Sequence, residues 1–167
     1  LDTKKNSIFN LFANYELDLN FQRFTESNFY LSIEKVTNDT FLKIFDPHIQ
    51  DQILKPTNYD NLKNELKISL KNNEYTFESG IKSFENLQKA NNDKYEYVFP
   101  YYSFSKTISD DKFNGKINFV SSGDNILNNT NVLKSSITND LEYRSEDYIL
   151  PSGLKNYQVL DYQLHHH

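Results

Sequence analysis

"LKNELKISLKNNEYTFESGIKS", residues 62–83, holds the clearest pattern in the chain. Leu62, Leu66, Ile68 and Leu70 alternate with Lys63, Glu65, Lys67, Ser69 and Lys71; after Asn72-Asn73, Tyr75, Phe77, Ser79 and Ile81 alternate with Thr76, Glu78 and Lys82. Successive side chains of a strand point to opposite faces, so a period of two describes a β-hairpin with one apolar and one wet face.

Upstream, Tyr15, Leu17, Leu19 and Phe21 face away from Glu16, Asp18, Asn20 and Gln22, and Phe29, Leu31 and Ile33 lie opposite Tyr30, Ser32 and Glu34. Residues 25–28 read as a turn, Thr37-Asn38-Asp39 as a break, and residues 41–45 as a short third strand in meander order. Downstream, Ile117 and Phe119 mark a strand over 116–121, and Ile137, Leu141 and Tyr143 mark another over 135–145. Between them residues 123–131 are rich in turn formers, which predicts a long hairpin with a polar loop. Pro151-Ser152-Gly153 breaks the chain before a last strand over 155–160. Two stretches stay open between strand and helix: Ile8, Phe9, Leu11, Phe12 and Tyr15 also fit a period of 3.6, and Ile49, Ile53 and Leu54, between Pro47 and Pro56, fit a single helical turn. Residues 89–94 read as a hairpin tip. The expected fold class is all-β, an antiparallel meander of amphipathic hairpins, as a β-barrel segment or a β-sandwich-like sheet.

With 167 residues the chain is sized for one domain. Its expected span is 1–164, with His165, His166 and His167 as the remnant of a purification tag and the whole as an excised piece without a signal peptide. A net charge of -5 from 18 basic and 23 acidic residues leaves no basic stripe for a phosphate backbone, which argues against nucleic acid as a partner. No Cys is present, so disulfides and thiolate metal sites are excluded. No apolar stretch approaches the roughly 18 residues of a membrane helix, whereas barrel strands need only about 9–11 residues of alternating character.

Catalytic chemistry finds few candidates. Apart from the three C-terminal residues, His48 is the one histidine, set in Asp46-Pro47-His48-Ile49 with no glycine elbow nearby, and it reads as a surface residue. A metal site from His48, Asp46 and Asp51 lacks the ligand spacing of zinc or EF-hand loops. Asp110-Asp111 and Glu146-Asp147 are adjacent pairs whose members point apart in a strand. Gly80, Gly115, Gly123 and Gly153 lie too far apart for a phosphate-binding loop. No catalytic residue, cofactor or metal is expected, and the protein is read as not an enzyme.

The segment "YEYVFPYYSFSK", residues 95–106, supplies the contact candidates Tyr95, Tyr97, Phe99, Tyr101, Tyr102 and Phe104. In an uninterrupted strand Tyr95, Tyr97, Phe99 and Tyr101 would share one face, and Val98, Tyr102 and Phe104 the other. Pro100 cannot donate to a ladder and belongs at an edge, a bulge or a strand end. The aromatics fit a strand packed on two sides, a membrane-interface girdle, or a groove for acyl chains.

Taken in order, these segments resemble the LptD (OstA) family of outer-membrane lipopolysaccharide-assembly proteins. The run "YELDLNFQRFTESNFYLSIEKVTNDTFLKIF" resembles one hairpin of that family, and "LKNELKISLKNNEYTFESGIKSFENLQ" is similar to the next. "YEYVFPYYSFSK" is similar to its Pro-containing aromatic strand, and "GKINFVSSGDNILNNTNVLKSSITNDLEYRSEDYILPSGLKN" to its Gly-started strand, polar loop and long return strand. The resemblance covers most of residues 10–160 and rests on order and spacing. It implies a fragment of the C-terminal translocon region, without the periplasmic β-jellyroll and without the cysteines many members use. It also implies a non-enzymatic role in lipopolysaccharide transport and assembly at the cell outer membrane. The implied partners are lipopolysaccharide, a periplasmic β-jellyroll bridge and a plug lipoprotein. A different class of reading remains beside it: a soluble extracytoplasmic β-sandwich that binds a protein or glycan, favoured by a mean hydropathy of -0.73. The excised piece itself could be soluble under either reading.

Overall fold

Alternation carries through to the structure, a computed structural model that describes residues 9–110, 114–129 and 131–166. Ile8, Asp111 and Thr130 lie outside the described residues. The elements run β1 (Asn10–Asp18), β2 (Glu26–Val36), α1 (Phe41–Ile44), α2 (Asp46–Gln50), β3 (Asn61–Lys71), β4 (Tyr75–Asn86), a 3-10 turn (Asn91–Lys94), β5 (Tyr95–Asp110), β6 (Gly115–Asn128), β7 (Val132–Ser145), β8 (Tyr148–Ile149), β9 (Lys155–Asn156) and β10 (Val159–His166). Eight of the strands form one antiparallel sheet in the order β1-β2-β3-β4-β5-β6-β7-β10, while β8 and β9 form a separate small hairpin. Each strand pairs with the next strand of the sheet along the chain, so the architecture is the expected all-β meander. The sheet is not closed: β1 and β10 each have one ladder partner.

Register assigns the faces, because directly paired residues lie on the same side of a sheet. Leu17 pairs with Phe29, Phe29 with Ile68, Leu66 with Ile81, Leu70 with Phe77, and Phe77 with Phe104. Across the second half Phe119 pairs with Leu141, and Leu141 with Tyr162. Among the described side chains of this face the charged ones are Lys35, Glu85 and Lys106. The other face is the reverse: Ser32, Glu65 and Lys82 form one row, Tyr30 and Lys67 another, and Ser69, Glu78 and Ser103 a third.

The sheet coils around its polar face. A cavity of about 600 Å³ is lined at once by Phe12 and Asn14 of β1, Tyr30 of β2, Glu65 of β3, Phe84 of β4, Glu96 of β5 and Asn128 of β6. In a flat sheet β1 and β6 would stand about 24 Å apart, at roughly 4.8 Å per strand. A shared cavity brings them around toward each other, which makes the polar face concave and the apolar face convex. Leu54, Lys55, Thr57 and Asn58, from the segment before β3, close one end of that cavity.

The buried core is small and local. Val36, Leu42, Ile49, Leu62 and Leu87 cluster where α1 and α2 pack on the ends of β2, β3 and β4, with Phe12, Phe41 and Tyr59 against them. Leu42 and Leu62 are 0% exposed and Ile49 1%. On the convex face, by contrast, Ile81 is 48% exposed, Ile137 45% and Tyr162 63%.

Several expectations need correction, among them the last strand over 155–160, which divides into β9 and the start of β10. Residues 41–45 were expected as a strand and form α1: Phe41, Leu42, Ile44 and Phe45 recur at helical spacing, which brings the Phe41 and Phe45 rings to 4.8 Å and buries Leu42. The polar loop expected over 123–131 is mostly strand. β6 runs on to Asn128 and β7 starts at Val132, with Asn129 at φ 53°. Side-chain pairs stitch that polar stretch, the Ser136 hydroxyl donating to Asp124 and the Ser135 hydroxyl to Asn125, each at 2.6 Å. At the other end, residues 19–22, expected to continue the first strand, lie beyond β1, and β2 starts within the expected turn at Glu26. The alternatives left open resolve as strand over β1 and, for the second, as a short helix α2 that holds Ile49 but ends before Ile53 and Leu54.

Candidate functional site

β5 carries the aromatic candidates, and its register decides where each one points. Val98 pairs with Lys82 but Tyr101 pairs with Gly80, and on the other side Val98 pairs with Ile126 but Tyr101 with Asp124. β5 therefore spends one residue more than either neighbour across Phe99-Pro100, whose peptide bond is cis. This is a β-bulge, one of the three settings expected for Pro100.

The bulge overturns the expected facing. An extra residue inverts the odd-even phase of everything after it. Tyr95 and Tyr97 share the convex face with Tyr102 and Phe104, while Tyr101 joins Glu96 and Val98 on the concave face. Phe99, in the bulge itself, is 45% exposed. The six aromatics are thus divided between two surfaces and do not form one patch.

Tyr101 and Tyr102 each lie over a glycine, one in each flanking strand. A Cβ on Gly80 would stand 3.0 Å from the Tyr101 hydroxyl and 2.3 Å from the Leu66 carbonyl oxygen; one on Gly123 would stand 2.7 Å from a Tyr102 ring carbon. Bare backbone at these two points lets the rings lie down along the sheet. On the concave side the Tyr101 hydroxyl donates to Glu65 Oε1 at 3.0 Å, and Lys82 Nζ sits 3.9 Å from the Tyr101 ring centre. Lys63 and Lys82 bracket the same carboxylate at 2.7 and 3.5 Å, and Lys67 pairs with Glu78 at 3.4 Å. On the convex side the Tyr102 hydroxyl lies 3.1 Å from Ser121 Oγ, which donates to Asn139 at 2.8 Å.

Convex aromatic rings in mutual contact stand at the two ends of β4 and β5, while Phe77 and Tyr102 lie between. Tyr95 and Tyr97 stack at 6.2 Å at one end. At the other, Phe21, Phe24, Tyr75, Phe104 and Phe119 form a continuous chain with successive ring centres at 6.4, 5.9, 6.0 and 6.1 Å. Between these groups β4 presents Phe77, Ser79, Ile81 and Ser83, none of them charged.

The capped end is held by a charge network. Lys94 reaches Asp39 in the segment after β2 and Glu85 at 2.9 Å, while Lys35 grips the other Glu85 oxygen at 2.8 Å. Burial pulls the Lys94 ammonium pKa down, but the hydrogen bonds to Asp39 and Glu85 and the charges of both carboxylates outweigh it, leaving that pKa above its ordinary value.

Among the described residues, the groups considered for catalysis in the sequence do not come together. Glu65, a buried carboxylate on the concave face, is saturated by two lysines and a phenol, which is the reverse of a poised general base. His48 is exposed on α2. Among the described residues no three His, Cys, Asp or Glu side chains come together as a metal site. The Glu65–Lys82–Tyr101 cluster was not singled out in the sequence; its signal was the Lys-Glu alternation on the wet faces of residues 63–67 and 78–82. Comparison with family models, with curated proteins and with solved structures gave no match.

Proposed function

We propose that the chain is part of the wall of an outer-membrane β-barrel, with the convex face toward lipid and the concave face toward the lumen, and that it serves lipopolysaccharide transport and assembly without enzymatic chemistry. One observation carries the first half: a single coiled meander keeps nearly all its charge on the concave side and leaves large apolar side chains bare on the convex side. Soluble monomers rarely expose contiguous apolar patches beyond a few hundred Å². Transmembrane barrels have this distribution, apolar outward and polar inward along every strand.

The lipopolysaccharide half rests on the LptD-like order of hairpins. A polar, ion-paired lumen suits a sugar and phosphate head, and the apolar outer wall suits acyl chains. The proposed partners are the periplasmic β-jellyroll bridge and the plug lipoprotein of that machinery. A soluble β-sandwich would need a second sheet over the convex face. Among the described residues the second sheet is the β8–β9 hairpin alone, with two residues per strand.

The test is made in Gram-negative cells carrying the whole protein. A photo-crosslinking residue at Ser103 or Ser122, paired on the concave face, is expected to capture lipopolysaccharide, with the protein in the outer-membrane fraction. Recovery in the soluble periplasmic fraction would overturn the barrel reading. Recovery in the outer membrane without concave-face capture would overturn the cargo alone.

A further inference from the structure

The convex face carries marks that fix how deep it sits. Across β2 to β5 it is free of charge between two limits. One is Lys35 and Glu85 beside Tyr95; the other is Lys106 beside Tyr75. Aromatic rings stand at both limits: the stacked Tyr95–Tyr97 pair at one, and Tyr75 with Phe104 and Phe119 at the other.

β4 serves as the ruler, since Tyr75 and Glu85 lie at opposite ends of its convex row. At about 3.3 Å per residue they are some 33 Å apart along the strand. With the roughly 40° tilt of barrel strands the vertical separation is about 25 Å, the height of the apolar band of an outer-membrane barrel. Tilt also explains Ile108, Ile117, Tyr143 and Leu160, which continue the apolar face past the Lys106 row. A ladder row perpendicular to tilted strands climbs through the bilayer, so the boundary steps from one strand to the next.

We infer that acyl chains contact β4 from Phe77 to Ser83, that Tyr75 and Glu85 mark the two headgroup levels, and that the α1–α2 cap stands wholly outside the hydrocarbon. This rests on the barrel reading and adds its register in the membrane.

The chain has no cysteine, so in the whole protein, with any cysteine outside this chain replaced by serine, a single introduced one reports from one place. Tyr75→Cys, Ser79→Cys, Ile81→Cys and Glu85→Cys, with Lys82→Cys on the concave face, are labelled with an environment-sensitive fluorophore. The whole protein is then inserted in vesicles of phospholipids brominated at either shallow or deep acyl positions. Ser79 and Ile81 are expected to lose fluorescence to deep bromines, Tyr75 and Glu85 to shallow bromines only, and Lys82 to neither. Deep quenching at Tyr75 or Glu85, with Lys82 still protected, would overturn the register and leave the barrel reading standing. Equal behaviour of Ile81 and Lys82 would overturn the barrel reading itself. Because Ser79 and Ile81 report the same depth, loss of folding in one variant leaves the other to decide.

Discussion

The capped end and the middle of the sheet are built on opposite plans. At the capped end Leu42, Ile49 and Leu62 are buried inside the chain, and Glu85 is gripped by Lys35 and Lys94. In the middle, residues of the same chemistry, Leu66, Ile68 and Ile81, point outward uncovered. Apolar burial at the first site is complete in the folded chain; at the second the described residues leave it unmade. Under the proposed barrel reading, stability has two sources, one carried by the polypeptide and one by its surroundings.

The largest effect should come from the internal source. Leu62→Ala opens a cavity in a filled core and should cost about 2–5 kcal/mol in any solvent, read by denaturant unfolding in micelles and in vesicles alike. An equal loss for Ile81→Ala would erase the contrast.

Next is a charge on the convex face. Ile81→Lys should cost about 2–4 kcal/mol near the bilayer midplane, measured as unfolding free energy in vesicles. In water the same change should fall within about 0.5 kcal/mol, as at other exposed surface positions. A penalty of the same size in both media would mean that protein, not lipid, covers this face.

On the concave face, Tyr101→Phe removes a hydrogen bond to a carboxylate and should cost about 1.5–3 kcal/mol. Lys63 and Lys82 remain on Glu65, which favours the lower end, and the loss should be the same in micelles and vesicles. A strong dependence on the lipid would reassign Tyr101 to the outer wall.

The smallest effect concerns the latch of the cap. Lys94 has a pKa above its ordinary 10.5 in the folded chain. A raised pKa adds stability that is fully present below the unfolded value and is lost as pH rises through the folded one. Thermal unfolding of the wild type should therefore weaken above about pH 10.5, and that alkaline slope should be reduced in Lys94→Gln. An unchanged slope would leave the latch without a role in stability.

The sheet was legible because a period of two survives wherever one face is apolar. The hairpin of β3 and β4 is the clearest case, its turn falling at Asn72-Asn73 as read. Legibility failed for specific reasons. Residues 41–45 are too short to separate one period from another, and tertiary burial of Leu42 decides. Residues 123–128 look like a loop because their polar side chains satisfy one another across β6 and β7, a pairing that composition does not reveal. The phase of β5 was misread because a bulge adds a residue without adding a signal beyond Pro100. The concave cluster joins Glu65 to Tyr101 from strands with β4 between them, and such proximity depends on register.

The bulge at Phe99-Pro100 also sets where the chain can change length. β5 holds one residue more than its partners there, so deleting Pro100 would bring the strand into step with β4 and β6 and leave Tyr97, Tyr101 and Tyr102 on their present sides. A one-residue deletion elsewhere in β5 would turn a run of side chains inside out, carrying Phe104 to the concave face or Glu96 to the convex one. Within β5, this is the place where related chains are expected to differ by a single residue and still build the same wall.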